Sequence, residues 1–589
     1  MDNPQSRSWY TWLLVPLVVV AVFAFTEIFA PKKPSADAPA VDDSTTQTPA
    51  GNQAPTKAED TPIVAPTPDE LHARSKSESL VTIKNDKLAV TFTSLNAAIQ
   101  KVLVLGARYE DPQTRQPFQL VTTDKEQYLP GRITIVGAPQ SAQSTWAVTE
   151  ATDNKIVFET QDGALSLKRT WSFGPSSYKL LSNLSVTNVS DAAKKIEIDL
   201  STAHYVARET ESGGFLNFRP SPALSHGVCF ADDETVRRDR KAIIKDGGTE
   251  EYGPDVLFAG IENSYFTILL APDGAPAEHC RIEASDRGGT VDDPLGSLFE
   301  TTLRYKSVQL APGQTQEFKT AIYAGPKDTD ALHAFGHSAY EVIDLGWFSI
   351  IADGLNWSLK TINGYVHNWG VAIIILVIFV KLILFPLNQK AFGAMAKQRK
   401  LKPEMDRINE LYKDDPEKKG AAIMELYRKH KVNPVGGCLP MFLQMPIWLA
   451  LYQSLLTNIE LYRAPFTSWW TDLSAPDPYF ILPLLWGVLM FLQQKLTPAA
   501  ASMEPMQQKI MMYGMPVIFT VITLFLPLGL CLYWVTNSIL TIAQQKYLYW
   551  KIDRDEELAA NTAEASDGSA DSIESAIQNS PTRKRSRRG

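Results

Sequence analysis

The chain is poor in cysteine, with four residues in 589, and none of them forms a CxxC pair. A structural zinc site or a thioredoxin-like redox motif is therefore not expected, and no metal site is predicted. The chain also lacks a GxxxxGK[ST] phosphate loop, so nucleotide hydrolysis is not expected. These shortages argue against a metabolic enzyme, and no cofactor is predicted.

Apolar residues are distributed unevenly, which matters more than the overall 44% hydrophobic content. They crowd into Trp12 to Phe29 and into the chain after Val371, while Pro31 to Ser79 has almost none. A chain of this length is too long for one ordinary core. Several domains of different kinds are expected.

The first apolar stretch predicts a membrane anchor in residues 1–30, because it reaches the roughly 20 residues that a spanning helix needs. A cleaved signal peptide is the alternative. Its candidate site, Ile28 to Ala30, has a bulky residue in the wrong place and is followed by Pro31, so an uncleaved anchor is favoured. Residues 31–79, rich in Pro, Ala, Thr, Ser and Asp, are expected to be a disordered tether.

Residues 80–325 show short alternating apolar runs separated by turn residues, which predicts an all-β sandwich. The predicted strands include Leu88 to Phe92, Lys155 to Thr160, Ala164 to Phe173, Tyr178 to Val189, Thr301 to Leu310 and Glu317 to Tyr323. The tether before this domain and the helical pattern after it indicate that the domain is isolated from the membrane part. We therefore expect the domain to be dispensable for the function of the membrane part.

Two cysteines, Cys229 and Cys280, fall within this β-rich region. An oxidising compartment would permit a disulfide bond between them. The favoured interpretation is two buried thiols that pack as small apolar side chains. Cys438 and Cys531 lie at or in apolar segments and are expected to pack there.

Near Pro326 the apolar period becomes helical, and Asp330 to Gly364 is predicted to be one amphipathic helix within residues 326–368. It carries Trp347, Phe348 and Trp357, aromatic residues that favour a membrane interface.

Five apolar segments follow, within residues 369–388 and 434–545, and with the anchor they predict six transmembrane helices. The segments are Val371 to Leu387, Leu439 to Leu456, Tyr479 to Leu492, Met515 to Leu526 and Leu528 to Ile542. Several are shorter than 20 residues, which requires local thinning of the bilayer or polar surroundings.

The distribution of positive charge predicts the orientation, since cytoplasmic loops carry excess Lys and Arg. Residues 389–433 contain a dense group of such residues, whereas the loop Glu460 to Pro478 contains Arg463 alone. The first loop is expected in the cytoplasm. The β-domain is then outside, and both termini are inside.

The basic loop is predicted to be a helical hairpin, because apolar residues recur at three- and four-residue spacing on both sides of the turn Asp414 to Pro416. The apolar residues are Leu401, Met405, Ile408 and Leu411 before the turn and Ile423, Leu426 and Tyr427 after it. A solvated loop held by ion pairs is the alternative.

Lys381 is the only charged residue in Val371 to Leu387, about 9 Å from the cytoplasmic end of that segment. A lysine at such depth costs about 2.5 to 3.5 kcal/mol, which indicates a wet cavity, a partner, or snorkelling to the headgroups. No acidic residue lies in the five segments. Neutral polar residues do, namely Gln444, Thr536 and Asn537, and Gln493 and Gln494 stand at the end of the third segment.

The tail, residues 546–589, ends in a basic cluster of Arg583, Lys584, Arg585, Arg587 and Arg588. Such a cluster would contact either ribosomal RNA or anionic lipid beside the last span, and the sequence leaves both open.

Four stretches carry a family resemblance: Leu426 to Ile447 (LYRKHKVNPVGGCLPMFLQMPI), Asp472 to Pro483 (DLSAPDPYFILP), Met506 to Ile510 (MQQKI) and Pro527 to Gln545 (PLGLCLYWVTNSILTIAQQ). Together they cover most of Asp344 to Gln545, and they resemble the core of the YidC/Oxa/Alb family of membrane protein insertases. The anchor, tether and β-domain resemble its Gram-negative subgroup, in which the periplasmic domain is a β-supersandwich.

The resemblance implies a groove formed by five spans, open to cytosol and lipid and closed to the outside, with one basic residue in the first core span. Lys381 occupies that position, where the family most often has Arg, and Trp534 stands where the family varies between Tyr and Trp. Met445 and Phe519 would line the path along which a client helix slides into lipid. The implied partners are nascent membrane proteins, the Sec translocon, the ribosome and the phospholipid of a bacterial inner membrane, and no small-molecule substrate is implied.

Two other classes are weighed against this one. A solute transporter would also use six spans and a buried lysine, but it should show inverted internal repeats, and none is visible. A membrane-tethered carbohydrate enzyme would use histidines of the β-domain, namely His204, His226 and His279. They are isolated in the sequence, and an isolated histidine is usually structural.

Overall fold

The computed structural model describes residues 78–111, 114–123, 126–136, 145–207, 225–286, 296–413, 415–430, 432, 439–497 and 505–578. The predicted anchor, nearly all of the predicted tether, Cys438, Asp414 and the basic cluster at residues 583–588 lie outside these residues.

The described part of residues 80–326 is built almost entirely from antiparallel strands. They are β1 (Leu80–Lys84), β2 (Leu88–Thr93), β3 (Ile99–Val104), β4 (Phe118–Gln119), β5 (Arg132–Ile135), β6 (Ala147–Ala151), β7 (Lys155–Asp162), β8 (Leu165–Phe173), β9 (Lys179–Asn188), β10 (Lys194–Ile196), β11 (Ile198–Ala207), β12 (His226–Ala231), β13 (Glu234–Asp239), β14 (Thr249–Tyr252), β15 (Phe258–Glu262), β16 (Phe266–Pro272), β17 (His279–Asp286), β18 (Gly296–Arg304), β19 (Val308–Leu310) and β20 (Thr315–Pro326).

Two larger sheets dominate this domain, and we call it the sheet domain. One sheet has the order β13-β12-β15-β16-β20-β9-β8-β7-β6 and the other β14-β17-β18-β11-β5. A four-stranded sheet, β1-β2-β3-β4, and the pair β10-β19 complete it. Burial alternates residue by residue along β9, as expected for a strand with one face on the core. The prediction of a β-rich domain is confirmed.

The two larger sheets pack against each other. Gly227 on β12 lies so close to β17 that a Cβ there would stand 2.2 Å from the Ile282 side chain, so only glycine fits. Beside it, Cys229 on β12 and Cys280 on β17 are joined by a disulfide bond, with Cα atoms 6.3 Å apart. The favoured interpretation of two unpaired thiols is therefore wrong, because the packing of the sheets brings these strands face to face.

The chain after the sheet domain is mainly helical, and one further short helix lies inside the sheet domain. The helices are α1 (Arg240–Lys245), α2 (Thr329–Phe335), α3 (Ser349–Val366), α4 (Trp369–Lys400), α5 (Lys402–Leu411), α6 (Pro416–Lys429), α7 (Leu439–Thr457), α8 (Ile481–Leu496), α9 (Pro505–Lys509), α10 (Met515–Thr523) and α11 (Leu528–Gln578). A π-helical turn, Ile510–Gly514, joins α9 to α10.

The predicted single helix from Asp330 to Gly364 is wrong, since α2 and α3 are separate. Gly336, His337 and Ser338 in succession, and then Gly346, have positive φ angles that a right-handed helix cannot contain. The α3 helix itself is amphipathic. It buries Ala352, Leu355 and Leu359 and leaves Ile350, Trp357 and Tyr365 exposed.

The helices α3, α4, α7, α8, α10 and α11 pack around a second apolar core that includes Leu376, Leu451 and Leu530. Among the described residues, α4 is the helix long and apolar enough to cross a membrane, while α8 is apolar but shorter. The six-span count stays a prediction. Both α4 and α11 extend beyond the predicted spans, and Arg399 pairs with Asp553 at 3.6 Å between these extensions.

The predicted hairpin is present as α5 and α6, which pack through Leu401, Met405, Ile423, Leu426 and Tyr427, with Ile408 partly buried. Leu411 was expected in this contact but is 72% exposed, because α5 ends at that residue, beyond the region where the helices meet. Asp415 caps α6 by accepting a hydrogen bond from the backbone N–H of Lys418 at 3.1 Å.

Candidate functional site

Lys381 on α4 is only 8% exposed, whereas Leu382 beside it is 65% exposed. The ammonium Nζ donates a hydrogen bond to Thr541 Oγ1 on α11 at 2.8 Å. Lys381 lies 12 residues after the first residue of α4, about 18 Å along the helix, and Thr541 lies at a similar depth in α11. The side chain thus bonds to a neighbouring helix at its own depth. Snorkelling requires it to extend towards the helix end.

A chain of hydrogen bonds continues from this lysine. Thr541 Oγ1 donates to the backbone carbonyl of Asn537 at 2.6 Å, and Gln444 Nε2 on α7 donates to Asn537 Oδ1 at 3.3 Å. The structure therefore brings together three predicted residues, Lys381, Asn537 and Gln444, on three helices. We call these residues and Thr541 the polar chain.

Thr541 is the member of the polar chain that sequence reasoning missed. It follows Asn537 by four residues on one helix, and residues at this spacing share a helix face. That spacing was the available signal. The five apolar segments contain no Asp or Glu, so no carboxylate of these segments neutralises the Lys381 ammonium.

Trp534 belongs to an aromatic wall rather than to the polar chain. Its ring stacks on Trp486 of α8 with centroids 4.7 Å apart, and Trp486 meets the edge of Phe519 on α10 at 6.0 Å. The indole Nε1 of Trp534 is buried, and no residue in the described part of the chain accepts a hydrogen bond from it. This donor can serve a polar group that enters from outside the fold.

The other predicted groove residues are not members of the polar chain. Thr536 donates its hydroxyl to the Leu532 carbonyl of its own helix at 2.8 Å. Gln493 and Gln494 are half-buried near the end of α8, and Met445 is half-buried on α7 beside Gln444. Within the described residues, none of these side chains hydrogen-bonds to the polar chain.

The opposite end of the bundle is closed by the loop between α7 and α8, residues 458–480, which we call the outer loop. Asp477 in this loop is only 1% exposed. It accepts hydrogen bonds from the Trp470 indole at 3.0 Å and from the backbone N–H of Tyr479 at 3.0 Å and of Leu482 at 2.8 Å. A buried carboxylate with three donors fixes the loop on the start of α8.

The same loop covers two more helix ends. Leu528 and Gly529 at the start of α11 donate backbone hydrogen bonds to Ala475 at 2.8 Å and Leu473 at 2.9 Å. At the start of α4, Asn368 donates to the Phe466 carbonyl at 2.9 Å. The polar chain therefore lies in a bundle whose ends at α4, α8 and α11 are tied together by one loop.

The histidines of the rival enzyme interpretation lie on three different strands of the sheet domain. His204 on β11 is fully buried, and burial lowers its pKa to about 3. Burial also lowers the pKa of His226 on β12, and His279 is half-buried on β17. A buried, uncharged histidine inside a sheet is a packing residue.

These features define a protein that combines an apolar helical bundle with a large β-sheet domain. The helical part, residues 361–555, matches the family described as 60Kd inner membrane protein, and residues 80–358 match the YidC periplasmic domain.

The chain is 32% identical over 546 residues to the membrane protein insertase YidC of Geobacter metallireducens, covering 91% of this chain and 97% of that one. It is 38% identical over 404 residues to the same insertase of Geotalea daltonii, covering 68% and 72% of the two chains. The solved structure of an active YidC insertase is 18% identical, covers 80% of this chain and 92% of that one, and gives a TM-score of 0.33.

The chain belongs to the YidC family of membrane protein insertases. The predicted family is confirmed. The family places the chain in the inner membrane with a periplasmic sheet domain, and its members are insertases and not enzymes.

Proposed function

We propose that this protein inserts integral membrane proteins, and helps them fold, through a hydrophilic groove in which Lys381 receives the polar tail of the client, either alone or with the Sec translocon. The observation that supports this most is the burial of the Lys381 ammonium against Thr541, a neutral partner. A positive charge held in this way attracts acidic groups of a client that enters the bundle.

The energy of the site favours exchange of partners. Burying the lysine costs about 2.5 to 3.5 kcal/mol on insertion scales, and a hydrogen bond to a charged group returns about 1.5 to 3 kcal/mol. The burial cost and the hydrogen-bond free energy nearly balance, so the ammonium is held only weakly by Thr541. A carboxylate of a client would bind it more strongly than the hydroxyl does, because charge–charge attraction strengthens where the dielectric is lower than in water.

The apolar part of a client then leaves along Met445 and Phe519, the latter within the aromatic wall of Trp486 and Trp534. Removing apolar surface from water yields about 25 cal/mol per Å², which for a span of about 20 residues is sufficient drive without nucleotide hydrolysis.

The proposed topology has six spans, with both termini and the hairpin α5–α6 in the cytoplasm. It is supported by the concentration of Lys and Arg in residues 389–433. The hairpin and the tail cluster, Arg583, Lys584, Arg585, Arg587 and Arg588, would face the translating ribosome or the anionic inner leaflet.

Site-specific photo-crosslinking tests the groove. A crosslinking amino acid at Gln444 should capture a client that is stalled during insertion. The matched position is Ile350 on α3, which is exposed on the outer face of the bundle and lies outside the polar chain. Equal capture of the client from the two positions would contradict a path through the groove.

A further inference from the structure

Gln545 on α11 has a buried carboxamide that is held in one orientation. The residue is only 1% exposed. Its Nε2 donates to the backbone carbonyl of Leu496, the last residue of α8, at 3.3 Å and to the Tyr549 hydroxyl at 3.0 Å. A backbone carbonyl can only accept a hydrogen bond, so the amide nitrogen must be the atom that contacts Leu496. The carboxamide oxygen Oε1 is therefore free to accept from another donor.

This oxygen lacks such a donor. Oε1 of Gln545 is buried, and no group in the described part of the chain donates a hydrogen bond to it. Buried acceptors are nearly always paired, because an unpaired one loses its contact with water and gains nothing in return. The unpaired oxygen indicates a donor that reaches it in a second arrangement of the bundle.

Lys381 has donors that Thr541 does not use. An ammonium carries three N–H groups, and the hydrogen bond to Thr541 Oγ1 at 2.8 Å uses one of them. The same ammonium is held only weakly, since the hydrogen bond barely offsets the cost of burial. The lysine stem has four rotatable carbons, so the charge can move without a shift of the helix.

Gln545 and Thr541 lie on the same face of α11. They are four residues apart, and Asn537 of the polar chain precedes Thr541 by the same spacing. Four residues correspond to about 6 Å along the helix axis. The displacement is towards the extensions of α4 and α11, where Arg399 pairs with Asp553 at 3.6 Å. A second acceptor therefore stands one helical turn from the first.

The helix that carries Lys381 has a second buried polar residue in the same direction. Asn388 follows Lys381 by seven residues on α4 and is 5% exposed. Residues seven apart lie on the same helix face, and α4 packs against α11. Polar groups on this buried face lower the cost of moving a charge along it.

We propose that Gln545 is a positioning residue that gives the Lys381 ammonium a second place to bind, one helical turn nearer the proposed cytoplasmic end than Thr541. Bound to Thr541, the charge lies deep in the bundle. Bound to Gln545, it lies closer to the entrance, where an acidic tail meets it first. This role in insertion rests on the proposed function, whereas the second position of the ammonium does not.

The two positions differ in access, so chemical labelling of the amine distinguishes them. Inner-membrane vesicles that contain the full chain, with the cytoplasmic face outward, are treated with a membrane-impermeant acylating reagent. Mass spectrometry gives the labelling rate of Lys381. Gln545→Met has a similar length and no strong acceptor, and it should lower this rate about fivefold, which corresponds to about 1 kcal/mol.

The reciprocal variant should act in the opposite direction. Thr541→Val removes the inner acceptor, so the ammonium should favour Gln545 and the labelling rate of Lys381 should rise. The double variant, with Gln545→Met added, should lose this increase. An increase that persists in the double variant would show a lysine that moves freely towards the headgroups, and it would overturn the inference.

Two controls separate this role from packing. Lys397, an exposed lysine on α4, reports access of the reagent and should be labelled equally in every variant. Tyr549→Phe removes one acceptor of Gln545 Nε2 and leaves Oε1 unchanged, so Lys381 should be labelled as in the unmodified chain. An equal loss of labelling in the Gln545→Met and Tyr549→Phe variants would show that Gln545 only ties α8 to α11.

Insertion of an acidic-tailed client is measured in the same vesicles by protection from protease, and it should fall in the Gln545→Met variant. A labelling rate that does not rise in the Thr541→Val variant overturns the inference even if Gln545→Met fails to fold, and it leaves the proposed function standing. Equal insertion by the Lys and Ala forms of residue 381 contradicts the proposed function, while the labelling result still decides where the ammonium binds.

Discussion

Tyr462 of the outer loop packs edge-on against Phe266 of the sheet domain, with ring centroids 5.5 Å apart and ring planes at 89°. Aromatic pairs prefer this arrangement, and the pair fixes the loop to the domain. The expectation that the sheet domain is isolated from the membrane part is therefore wrong in its premise, since the loop that closes the bundle belongs to the core of that domain.

Tyr462→Ala should loosen this junction. Removing a buried aromatic ring leaves a cavity and costs about 3 kcal/mol or more. We expect faster protease cleavage in the outer loop and a lower melting temperature of the purified protein. Tyr462→Phe keeps the ring and should behave nearly as the unchanged chain. Identical behaviour of the Ala and Phe variants would show that the ring does not hold the loop.

Deleting residues 80–325 should leave insertion active, because the polar chain lies wholly in α4, α7 and α11. The truncated chain should nevertheless aggregate more readily, since Ile459 and Tyr462 lose the surface that covers them. Replacing both residues with Ser should restore a monodisperse profile in size-exclusion chromatography. Complete loss of insertion at normal expression would reject the first expectation, and no effect of the two serines would reject the second.

Local sequence patterns predicted the strands well, but they could not predict contacts between residues far apart in the sequence. The predicted strands at Lys155 to Thr160 and Ala164 to Phe173 agree with β7 and β8 to within two residues, because alternation and a turn are properties of neighbouring residues. The predicted strand from Thr301 to Leu310 is broken between β18 and β19.

The missed features depend on residues far apart in the sequence. The disulfide joins cysteines 51 residues apart, and the Lys381–Thr541 hydrogen bond spans 160 residues. The break between α2 and α3 was missed for a different reason. Three successive residues there adopt positive φ, two of them not glycine, and no periodicity reveals that.

His204 should make the sheet domain sensitive to acid. Burial lowers its pKa to about 3, against an unfolded value near 6.5, so between these values only the unfolded chain takes up the proton. Stability is then constant above about pH 6.5 and falls below it, by about 2 kcal/mol at pH 5.

Thermal melts of the full chain in detergent at pH 7.5 and 5 measure this loss. His204→Gln should reduce the difference between the two melting temperatures, whereas His333→Gln, at an exposed position, should leave it unchanged. If the difference between the two melting temperatures is unaltered in the His204 variant, this histidine is not the cause of the acid sensitivity.

Removing residues 579–589 should weaken co-sedimentation with ribosomes if the basic tail contacts ribosomal RNA. Ribosome binding by the full chain should fall steeply as the salt concentration rises, because phosphate contacts release counterions. A variant with the same five basic residues changed to Gln is the matched control for tail length. Ribosome binding that is unchanged by truncation at every salt concentration would favour contact with anionic lipid.

Thr541 should matter through Lys381. Thr541→Val keeps the shape of the side chain and removes the acceptor, leaving the ammonium without its hydrogen-bond partner. We expect lower insertion of neutral-tailed clients and a smaller loss for acidic-tailed ones, whose carboxylates replace the missing acceptor. Thr541→Ser, which retains the hydroxyl, should insert both clients normally. An equal loss for both clients in the Val variant would indicate a packing role alone.

The charge of Lys381 is the centre of the account, and one comparison tests it most directly: protease accessibility of a newly inserted client at equal expression of the Lys, Arg, Ala and Glu forms. The Arg form should insert nearly as well as Lys, since both side chains are cationic. The Ala form should insert less, most of all with acidic-tailed clients, and the Glu form least. Equal insertion by the Lys and Ala forms, for acidic-tailed and neutral-tailed clients alike, would contradict a role for Lys381 in the groove.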